Sequence, residues 1–571
     1  MRLSIALGLS LVVAVGSSAR GVDVPPVVKV AAARGIVVCV SPPAADVGAE
    51  VLRRGGSAVD AAVAVALAMA VTFPEAGNIG GGGFMMVRPA DGRGAVCFEY
   101  RETAPAACHA RTFENDTAQD GAGVAGVPGT IRGLEAAHRK FGRLPWKELV
   151  LPAVRLAREG FAIDRVLAVD LNRLTSEHGA RFPEFARVFS KPVRKPPTTG
   201  VAAEWQPGDV LVQPELADTL ERIARLGPDE FYTGVTAELI VEEMRRGKGF
   251  ITESDLESYR AVERAPVRGT FRGYEILSSP PPSSGGTALV EMLNILEQFP
   301  LRDYGRYDAR TVHLTTEAMR RAYADRARRL GDPDFTDVPA HLTSKEYARE
   351  LARSIDANRA TPSAAVAADV PLSGEGESTT HFSIVDAEGS AVSNTYTLQN
   401  SYGSKVVVRG AGFLLNNEMT DFNWRPGVTD RSGRIGTPAN TIAPGKRMVS
   451  SQTPTIVTRD GKLVLVTGSP GGRTIPNTVL NVVLNVLEFG MDVDAAVASP
   501  RTHHQWFPDE LRFEEADRPE QAAAVRRLRE MGHRVQAKPT KQGDAHSILI
   551  RDGVRYGAAD TRRTVGKAAS E

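Results

Sequence analysis

Residues 378–398 read STTHFSIVDAEGSAVSNTYTL, and this stretch decides the fold. Apolar and polar residues alternate on both sides of residues 386–389, a pattern typical of two β-strands joined by a short turn. The turn has the sequence DAEG, and a three-residue loop that closes with a left-handed glycine is a common hairpin connection. We therefore expect an antiparallel hairpin in which Gly389 takes the left-handed position.

The loop also sets which residues of the two strands face each other. A three-residue loop pairs Asp386 with Ser390, and the same register places Thr379 opposite Thr397. Because side chains alternate between the two faces of a sheet, a slip by one residue would separate the two threonines. The sequence thus predicts two hydroxyl groups side by side at the open end of the hairpin.

The segment before the hairpin, residues 356–378, differs in composition from the rest of the chain. It is rich in alanine, serine, proline and glycine and has few large apolar residues. Such a composition is typical of an exposed, poorly ordered linker. The predicted linker stops abruptly at a strand, so the peptide bond between Ser378 and Thr379 is a candidate site of processing.

A threonine at the start of a chain can act as a nucleophile. Its hydroxyl group needs a neighbouring base, and an N-terminal α-amino group with a pKa near ~7.7–8 can serve as that base. Thr379 would be the first residue only after its bond to Ser378 is cut. Threonine is also simply a good strand former, so Thr379-Thr380 allows both a catalytic and a structural interpretation.

The composition is that of a soluble globular enzyme. The 571 residues include 69 lysines and arginines and 68 aspartates and glutamates, which gives a net charge of +1. No long basic run occurs, so neither nucleic acid nor an anionic membrane is an expected partner. A chain of this length can also bury a large core.

The first residues have the pattern of a secretory signal peptide. Met1-Arg2 is followed by an apolar run at 3–15 and by small residues at 16–19, which is the order found in such signals. The apolar run is too short to span a bilayer of ~30 Å. We therefore expect residues 1–19 to be removed and the mature protein to be secreted or periplasmic, without a membrane anchor.

Other motifs do not indicate a cofactor or a metal. The glycines at 80–83 follow a helical pattern and precede a strand pattern, the reverse of the order in a dinucleotide-binding loop. Close backbone packing explains these glycines better. His503 and His504 are adjacent and would point in different directions on a regular element. The three cysteines match no zinc-site spacing and are expected to be buried free thiols.

A helix is expected to begin near Asp308. Its charged side chains recur at spacings of three and four residues, and we interpret them as ordinary surface pairs. They are His313, Glu317, Arg320, Arg321 and Asp325.

Taken together, the motifs resemble the γ-glutamyltransferase (γ-glutamyl transpeptidase) family of N-terminal nucleophile hydrolases. The resemblance extends over residues 30–563, and its ordered matches make it highly specific. The matching stretches are 56–62 (GSAVDAA), 100–105 (YRETAP), 127–129 (VPG), 280–286 (PPPSSGG), 378–382 (STTHF), 414–419 (LLNNEM), 450–451 (SS) and 467–472 (TGSPGG).

The resemblance implies a fold and a maturation step. The expected fold is α+β, a four-layer αββα arrangement of two stacked antiparallel sheets between helices. Cleavage before Thr379 would give a large chain, residues 20–378, and a small chain, residues 379–571, which stay associated as a heterodimer. No metal or organic cofactor is implied.

The resemblance also implies roles for individual residues. Thr379 matches the nucleophile, Thr397 its hydrogen-bonding partner, and Gly471 and Gly472 the glycines whose backbone N–H groups bind the developing oxyanion. The residues expected to bind the α-carboxylate of the substrate are Arg101, Ser450 and Ser451. Those expected to face its α-ammonium group are Gln399, Glu418 and Asp421.

The expected substrates are γ-glutamyl amides such as glutathione, with water, an amino acid or a dipeptide as acceptor. The chain departs from the family pattern at Gln399, where many members have asparagine, so the ammonium pocket is expected to be reshaped. Two alternatives stay open. One is a related acylase that acts on glutaryl or cephalosporin-type amides, and the other is an unprocessed secreted binding protein.

Overall fold

In this computed structural model, the structure describes residues 27–192, 203–366, 379–428, 436–536 and 540–571. The predicted signal peptide at 1–19 and Ser378 on the first side of the predicted cleavage site lie outside the described residues. Within the described parts of the chain, no helix is both long enough and apolar enough to cross a membrane.

The hairpin that was predicted from residues 378–398 is present. Its strands pair antiparallel, with Thr380 opposite Tyr396 and Val385 opposite Ala391. The backbone N–H of Asp386 donates to the carbonyl of Ser390 at 3.0 Å, and Gly389 has a φ of 93°. The predicted register is therefore confirmed.

The strands of the structure fall into two large sheets and two small ones. In chain order, they are β1 Lys29–Ala32, β2 Ile36–Cys39, β3 Gly82–Arg88, β4 Val96–Glu99, β5 Phe161–Ala162, β6 Val210–Leu211, β7 Val262–Arg264, β8 Val267–Phe271, β9 Tyr274–Ser278, β10 Thr380–Val385, β11 Ala391–Thr397, β12 Thr455–Arg459, β13 Lys462–Thr467, β14 Thr502–His503, β15 Arg512–Phe513, β16 His546–Arg551, β17 Val554–Ala559 and β18 Lys567–Ser570.

Among the described residues, each large sheet has seven strands, and all neighbouring strands that pair are antiparallel. Sheet I has the order β1-β17-β16-β13-β12-β9-β8, and sheet II has the order β18-β2-β10-β11-β3-β4-β7. The hairpin β10–β11 lies in the middle of sheet II, with β2 on one side and β3 on the other.

Helices cover the sheets. They are α1 Pro42–Arg53, α2 Ala58–Thr72, α3 Thr130–Phe141, α4 Trp146–Glu159, α5 Arg165–His178, α6 Pro183–Phe189, α7 Pro214–Leu226, α8 Asp229–Thr233, α9 Val235–Gly247, α10 Glu253–Ser258, α11 Gly285–Leu296, α12 Leu301–Tyr304, α13 Ala309–Arg329, α14 Lys345–Arg353, α15 Ser363–Val366, α16 Ile475–Leu487, α17 Val493–Ala498 and α18 Ala522–Glu530.

Three apolar cores show how the layers stack. Successive residues of β2 belong to different cores. Ile36 and Val38 face sheet I and lie in the core between the sheets, whereas Val37 and Cys39 face the helices and lie in the outer core. The core between the sheets also includes Phe84 of sheet II and Ile456 of sheet I. Helix α2 packs on the outer side of sheet II, and α11 and α16 pack on the outer side of sheet I. The predicted four-layer αββα fold is confirmed.

Helix α13 differs from its prediction as a helix with surface charge pairs. Glu317 is fully buried and forms ion pairs with Arg320 and, at 2.6 Å, with Arg321. The other predicted surface residues, His313 and Asp325, are buried as well. The spacing of three and four residues is correct, but it joins charges inside the protein rather than on its surface.

Part of the predicted linker is anchored to this buried helix. Of residues 356–378, the structure describes 356–366. The backbone N–H of Thr361 donates to Glu317 at 3.0 Å, and that of Ser363 donates to Asp509 at 2.8 Å. Residues 356–366 therefore do not behave as an unattached linker, which differs from the interpretation of the composition, and 367–378 lie outside the described residues.

The cysteines agree with the prediction. Cys39, Cys97 and Cys108 are buried and unpaired, and burial raises the pKa of Cys39 to about 12. Such thiols are poor nucleophiles near neutral pH.

We expect the charge of Glu317 to be essential for stability. Glu317→Gln removes the carboxylate shared by two buried arginines, of which Arg320 keeps Asp509 at 3.1 Å, and loss of a buried partner costs about 3–5 kcal/mol in comparable pairs. Glu346→Gln is the matched control, since Glu346 pairs with Arg349 at the same spacing but on the exposed surface and should cost under about 1 kcal/mol. Urea unfolding of both variants measures the difference, and equal losses would contradict the buried-pair explanation.

Candidate functional site

The two predicted hydroxyl groups meet at the open end of the hairpin. Thr379 precedes β10 and its side chain is almost buried. The Oγ1 of Thr379 lies 3.4 Å from the Oγ1 of Thr397, to which it donates a hydrogen bond. The backbone N–H of Gln399 donates to the same Thr397 oxygen at 2.8 Å. Thr397 is thus held in a fixed position beside the candidate nucleophile.

Asn78 positions this end of the hairpin, and the sequence analysis did not identify it. Its Nδ2 donates to the carbonyl of Thr397 at 2.9 Å, while its Oδ1 accepts from the hydroxyl of Thr130 at 2.7 Å and from the N–H of Gly81. A Cβ atom on Gly81 would lie 2.0 Å from the Thr397 carbonyl oxygen. This contact confirms that close backbone packing explains the glycines at 80–83.

His381 lies two residues after Thr379, but its bonds indicate a structural role. Its Nδ1 and Nε2 form hydrogen bonds with Thr395 at 2.8 Å and with Ser383 at 3.0 Å. Burial, and then the neighbouring His546, lower the pKa of His381 well below its usual range. The ring is therefore neutral and fully engaged, and it does not act as a base toward Thr379.

The predicted oxyanion glycines form the turn between β13 and α16. Gly471 and Gly472 have φ values of 127° and 52°, which residues other than glycine rarely adopt. The preceding residue, Pro470, lines a cavity of about 80 Å³ together with Thr379. A turn that precedes a helix N-terminus presents backbone N–H groups suited to a negative oxygen.

The residues expected to bind the ends of the substrate form one buried cluster around Arg101. Its Nη2 lies 2.5 Å from Asp421 and 2.7 Å from Glu418, and its Nη1 lies 3.5 Å from Glu102. Glu418 and Asp421 are brought together by a short 3₁₀ turn, Glu418–Asp421. The structure therefore joins the predicted carboxylate partner and the predicted ammonium partners in a single ion-pair network.

Neighbouring groups hold Arg101 in place. Its backbone N–H donates to Glu99 at 2.8 Å, and its carbonyl accepts from the hydroxyl of Tyr259 at 2.8 Å. Its Nε donates to the carbonyl of Met448 at 3.4 Å. The backbone of Arg101 is thus fixed on both sides just after β4, and one edge of its guanidinium group is fixed as well.

The cluster holds more acidic than basic side chains. Burial raises the pKa values of Glu102 and Glu418 to about 8, against the opposing effect of Arg101. Burial alone would lower the pKa of Arg101, but Glu418, Glu102 and Asp421 together raise it. Among the described residues, neither side-chain oxygen of Glu102 accepts a hydrogen bond. Glu102 was not identified by the sequence analysis, although it follows Arg101 directly.

Gln399 connects the ion-pair cluster to the nucleophile. Its side-chain Nε2 donates to Asp421, while its backbone N–H donates to Thr397. Its φ of 80° lies in the left-handed region, where a residue other than glycine is strained. This backbone turn directs the amide toward Asp421, so Gln399 contacts the ion-pair cluster.

Ser450 and Ser451 are buried near the cluster and already have partners. The Ser450 hydroxyl accepts from the backbone N–H of Gln452 at 3.1 Å, and the Ser451 hydroxyl accepts from Arg326 at 3.1 Å. Within the described residues, neither serine is hydrogen-bonded to Arg101. The two serines are connected to the cluster only by sequence proximity. The carbonyl of Met448 accepts a hydrogen bond from Arg101, and Met448 precedes Ser450 by two residues.

Within the described parts of the chain, one cluster has the residue types of a metal site. The ligand atoms of His313, Glu317 and His533 lie within 4.8 Å of one another. However, the Nδ1 of His313 is hydrogen-bonded to the Nε2 of His533 at 2.8 Å, and Glu317 is paired with Arg320 and Arg321. These contacts already engage His313 and Glu317, and two nearby arginines oppose a cation, so the cluster fits a structural role.

Comparison with known proteins gives consistent similarities. The profile of the gamma-glutamyltranspeptidase family matches residues 44–570. The glutathione hydrolase proenzyme of Escherichia coli (strain K12) is 44% identical over 545 residues, which are 93% of this chain and 91% of that protein.

Two solved structures are also similar. The cephalosporin acylase from Bacillus halodurans has a TM-score of 0.81 at 26% identity, with 95% of this chain and 97% of that chain covered. The gamma-glutamyltranspeptidase of Helicobacter pylori has a TM-score of 0.53 at 40% identity, with 56% of this chain and 91% of that chain covered.

Proposed function

The chain belongs to the γ-glutamyltranspeptidase family, and we propose that Thr379 is the nucleophile of its reaction. Like its relatives, the protein is an enzyme, a glutathione hydrolase and γ-glutamyltransferase made as a proenzyme. The observation that carries the assignment is the 3.4 Å contact between the hydroxyl groups of Thr379 and Thr397 beside a cavity.

Maturation would begin at the same threonine. The Oγ1 of Thr379 attacks the carbonyl carbon of Ser378, the C–N bond breaks, and the proton passes to the released amino group. Water then hydrolyses the resulting ester, which leaves Ser378 as a C-terminus and Thr379 with a free α-amino group. The cleavage uses only this chain and water, so it needs no cofactor.

The two chains produced in this way would remain one structural unit. In sheet II, the small-chain strand β10 pairs with the large-chain strand β2 over residues 382–385, and β11 pairs with the large-chain strand β3. In sheet I, the small-chain strand β12 pairs with the large-chain strand β9. Since both sheets contain strands of both chains, the large chain at 20–378 and the small chain at 379–571 form a heterodimer.

The catalytic cycle then uses the free α-amino group as the base. The Thr379 hydroxyl attacks the γ-carbonyl of a γ-glutamyl amide such as glutathione, while the N–H groups of Gly471 and Gly472 stabilise the oxyanion. Each such donor is typically worth ~10²–10³ in rate. The amine leaves, and water or the amine of an amino acid or dipeptide resolves the γ-glutamyl ester.

The Arg101 cluster explains why the acyl group should be zwitterionic. The α-carboxylate of the substrate would take the place of a carboxylate at Arg101, and Glu418 and Asp421 would then face the α-ammonium group. A zwitterion brings one charge of each sign, so the exchange leaves no buried charge unpaired. Ser450 and Ser451 would add hydroxyl donors to the same carboxylate.

A glutaryl acylase is the second candidate, because Gln399 donates its side-chain amide to Asp421. An amide that already satisfies Asp421 reduces the need for a substrate ammonium group. As for location, we propose secretion or the periplasm, on the basis of the signal-like pattern at 1–19.

We expect Thr379→Ala to remain a single chain of 61.2 kDa or slightly less, since the attacking hydroxyl is gone. The wild type should give two fragments on a denaturing gel, and the smaller one should begin Thr-Thr-His-Phe on N-terminal sequencing. Thr380→Ala is the matched control and should be cleaved. Normal cleavage of Thr379→Ala would contradict the intramolecular mechanism, and an uncleaved wild type would support the binding-protein alternative.

Arg101→Lys keeps the charge but loses the two-pronged guanidinium group. We expect the KM for glutathione to rise by about tenfold or more, while the precursor is still cleaved because Thr379 is untouched. Arg93→Lys is the control, since Arg93 is an exposed arginine paired with Asp91. An unchanged KM for glutathione in Arg101→Lys would show that Arg101 does not bind the substrate.

Gln399→Asn shortens the amide and should release Asp421 to bind a substrate ammonium group. The quantity to measure is the ratio of kcat/KM for glutathione to that for the matching glutaryl amide without the amino group, and we expect it to rise. A change of this ratio below twofold, under ~0.4 kcal/mol, would show that Gln399 does not contribute to recognition of the ammonium group. Gln298→Asn, two residues after α11, is the control.

Wild-type preference for the glutaryl amide would be a separate result. It would favour the acylase alternative over the γ-glutamyl assignment, whatever the effect of the substitution.

A further inference from the structure

The turn that contains Gly471 and Gly472 is held by its carbonyl groups and not by its N–H groups. Among the described residues, neither the N–H of Gly471 nor that of Gly472 donates a hydrogen bond. The carbonyl groups of residues 470–473, in contrast, all accept hydrogen bonds from other groups of the protein. Something in the sequence therefore fixes the orientation of these peptides from the carbonyl side.

Thr474 fixes the peptide between the two glycines. The Gly471 carbonyl accepts from the backbone N–H of Thr474 at 3.0 Å and from its Oγ1 at 2.8 Å. A peptide bond is planar and trans, so the N–H of Gly472 points in the direction opposite to the carbonyl of Gly471. The two bonds from Thr474 thus determine where the N–H of Gly472 points.

Ser469 fixes the preceding peptide by the same geometry. Its Oγ donates to the carbonyl of Pro470 at 2.8 Å, and the N–H of Gly471 lies on the opposite side of that peptide. The Ser469 Oγ also accepts from the backbone N–H of Asp544 at 3.1 Å. This second bond occupies a lone pair of the oxygen, so it helps to orient the hydroxyl proton toward Pro470.

The packing around the turn leaves these two hydroxyl groups little room to move. Gly543 has a φ of 64°, and a Cβ atom at this position would collide with the Ser469 Oγ. A Cβ atom on Gly471 would likewise collide with the Oγ1 of Thr474. Ser469 and Thr474 are 0% and 3% exposed, so their hydrogen bonds are shielded from water.

We propose that Ser469 and Thr474 are positioning residues of the oxyanion site, each holding the carbonyl of one peptide so that the N–H on its other side is directed before the substrate binds. The inference rests on the proposed function, since it requires the N–H groups of Gly471 and Gly472 to bind the oxyanion of the Thr379 reaction. Donors that are fixed in advance stabilise a developing charge without reorganisation. The two hydroxyl groups therefore act on the transition state and not on binding of the substrate.

The first test is the pair Thr474→Val and Thr474→Ser in the mature two-chain enzyme. Valine keeps the shape and the backbone bond to Gly471 but lacks the hydroxyl, whereas serine keeps the hydroxyl. We expect Thr474→Val to lower kcat for glutathione hydrolysis about tenfold, less than the ~10²–10³ for loss of a whole donor, with KM within about twofold of the wild type. Thr474→Ser should restore most of kcat.

Ser469→Ala tests the other peptide and should also lower kcat about tenfold at a nearly constant KM. Rates are measured as glutamate released without added acceptor, per mole of two-chain enzyme on a denaturing gel. If Ser469→Ala does not fold, because the N–H of Asp544 loses its acceptor, the Thr474 pair decides.

A transition-state analogue distinguishes positioning from a merely structural role. The probe is a boronic acid analogue of glutamate in which –B(OH)₂ replaces the γ-carboxyl group. Its boron adds a hydroxyl nucleophile and becomes a tetrahedral anion, so its affinity depends on the oxyanion donors. We expect its inhibition constant to rise in each variant by the factor by which kcat/KM falls. A structural loss would reduce the amount of folded enzyme and leave this constant unchanged.

Thr315→Val is the matched control. Thr315 is fully buried in α13, and its Oγ1 donates to the carbonyl of Thr311 at 2.7 Å, so the variant loses the same type of bond. It should keep the kcat and KM of the wild type.

Three results would overturn the proposal. One is a kcat within twofold of the wild type in Thr474→Val and in Ser469→Ala. Another is an equal loss of kcat in Thr474→Val and Thr474→Ser. The third is an unchanged inhibition constant of the boronic acid in a variant whose kcat has fallen.

The wild type separates this inference from the proposed function. If the wild type hydrolyses glutathione and binds the boronic acid, but the variants at 469 and 474 behave as the wild type does, only the positioning role is refuted. If the wild type does not hydrolyse glutathione, the proposed function has failed, and this inference fails with it.

Discussion

The antiparallel register of β10 and β11 is the constraint on which the rest of the site depends. It places Thr397 beside Thr379, and Thr397 in turn orders Gln399 through a backbone hydrogen bond. Gln399 reaches Asp421, and Asp421 reaches Arg101. A single pairing pattern thus connects the candidate nucleophile with the ion-pair cluster, because each group is held by the one before it.

Burial decides how the charged groups of this protein behave. The carboxylates around Arg101 and the pair Glu317–Arg321 are both withdrawn from water. In helix α13, the positive and negative groups satisfy one another, which makes the assembly rigid and structural. In the Arg101 cluster, the acidic groups exceed the available donors, since within the described residues neither oxygen of Glu102 accepts a hydrogen bond. Under the proposed function, that excess would allow a zwitterionic ligand to enter without leaving the site less well paired.

Much of the fold and several site residues could be predicted from the sequence. The alternation around Gly389 gave the correct hairpin register, because a period of two and a short loop leave few pairings. The burial of α13 could not be predicted in this way, since charge spacing is the same on an exposed and a buried helix face. Asn78 was missed because a lone asparagine after a helix has no distinctive pattern. The anchoring of residues 360–363 was missed because partners distant in sequence supply its bonds.

Each large sheet contains strands from both sides of the proposed cleavage site. This arrangement affects how the protein can refold. While the backbone is intact, β2 and β10 are tethered, and the tether gives each segment a high effective concentration near its partner. If the backbone is cut at the proposed site before Thr379, the finished sheets would persist, but a molecule that unfolds would have to find two separate chains again. The native state of the enzyme would then be maintained by a slow rate of unfolding rather than by reversible equilibrium with its unfolded chains. Self-cleavage would act as a one-way step in folding as well as in activation.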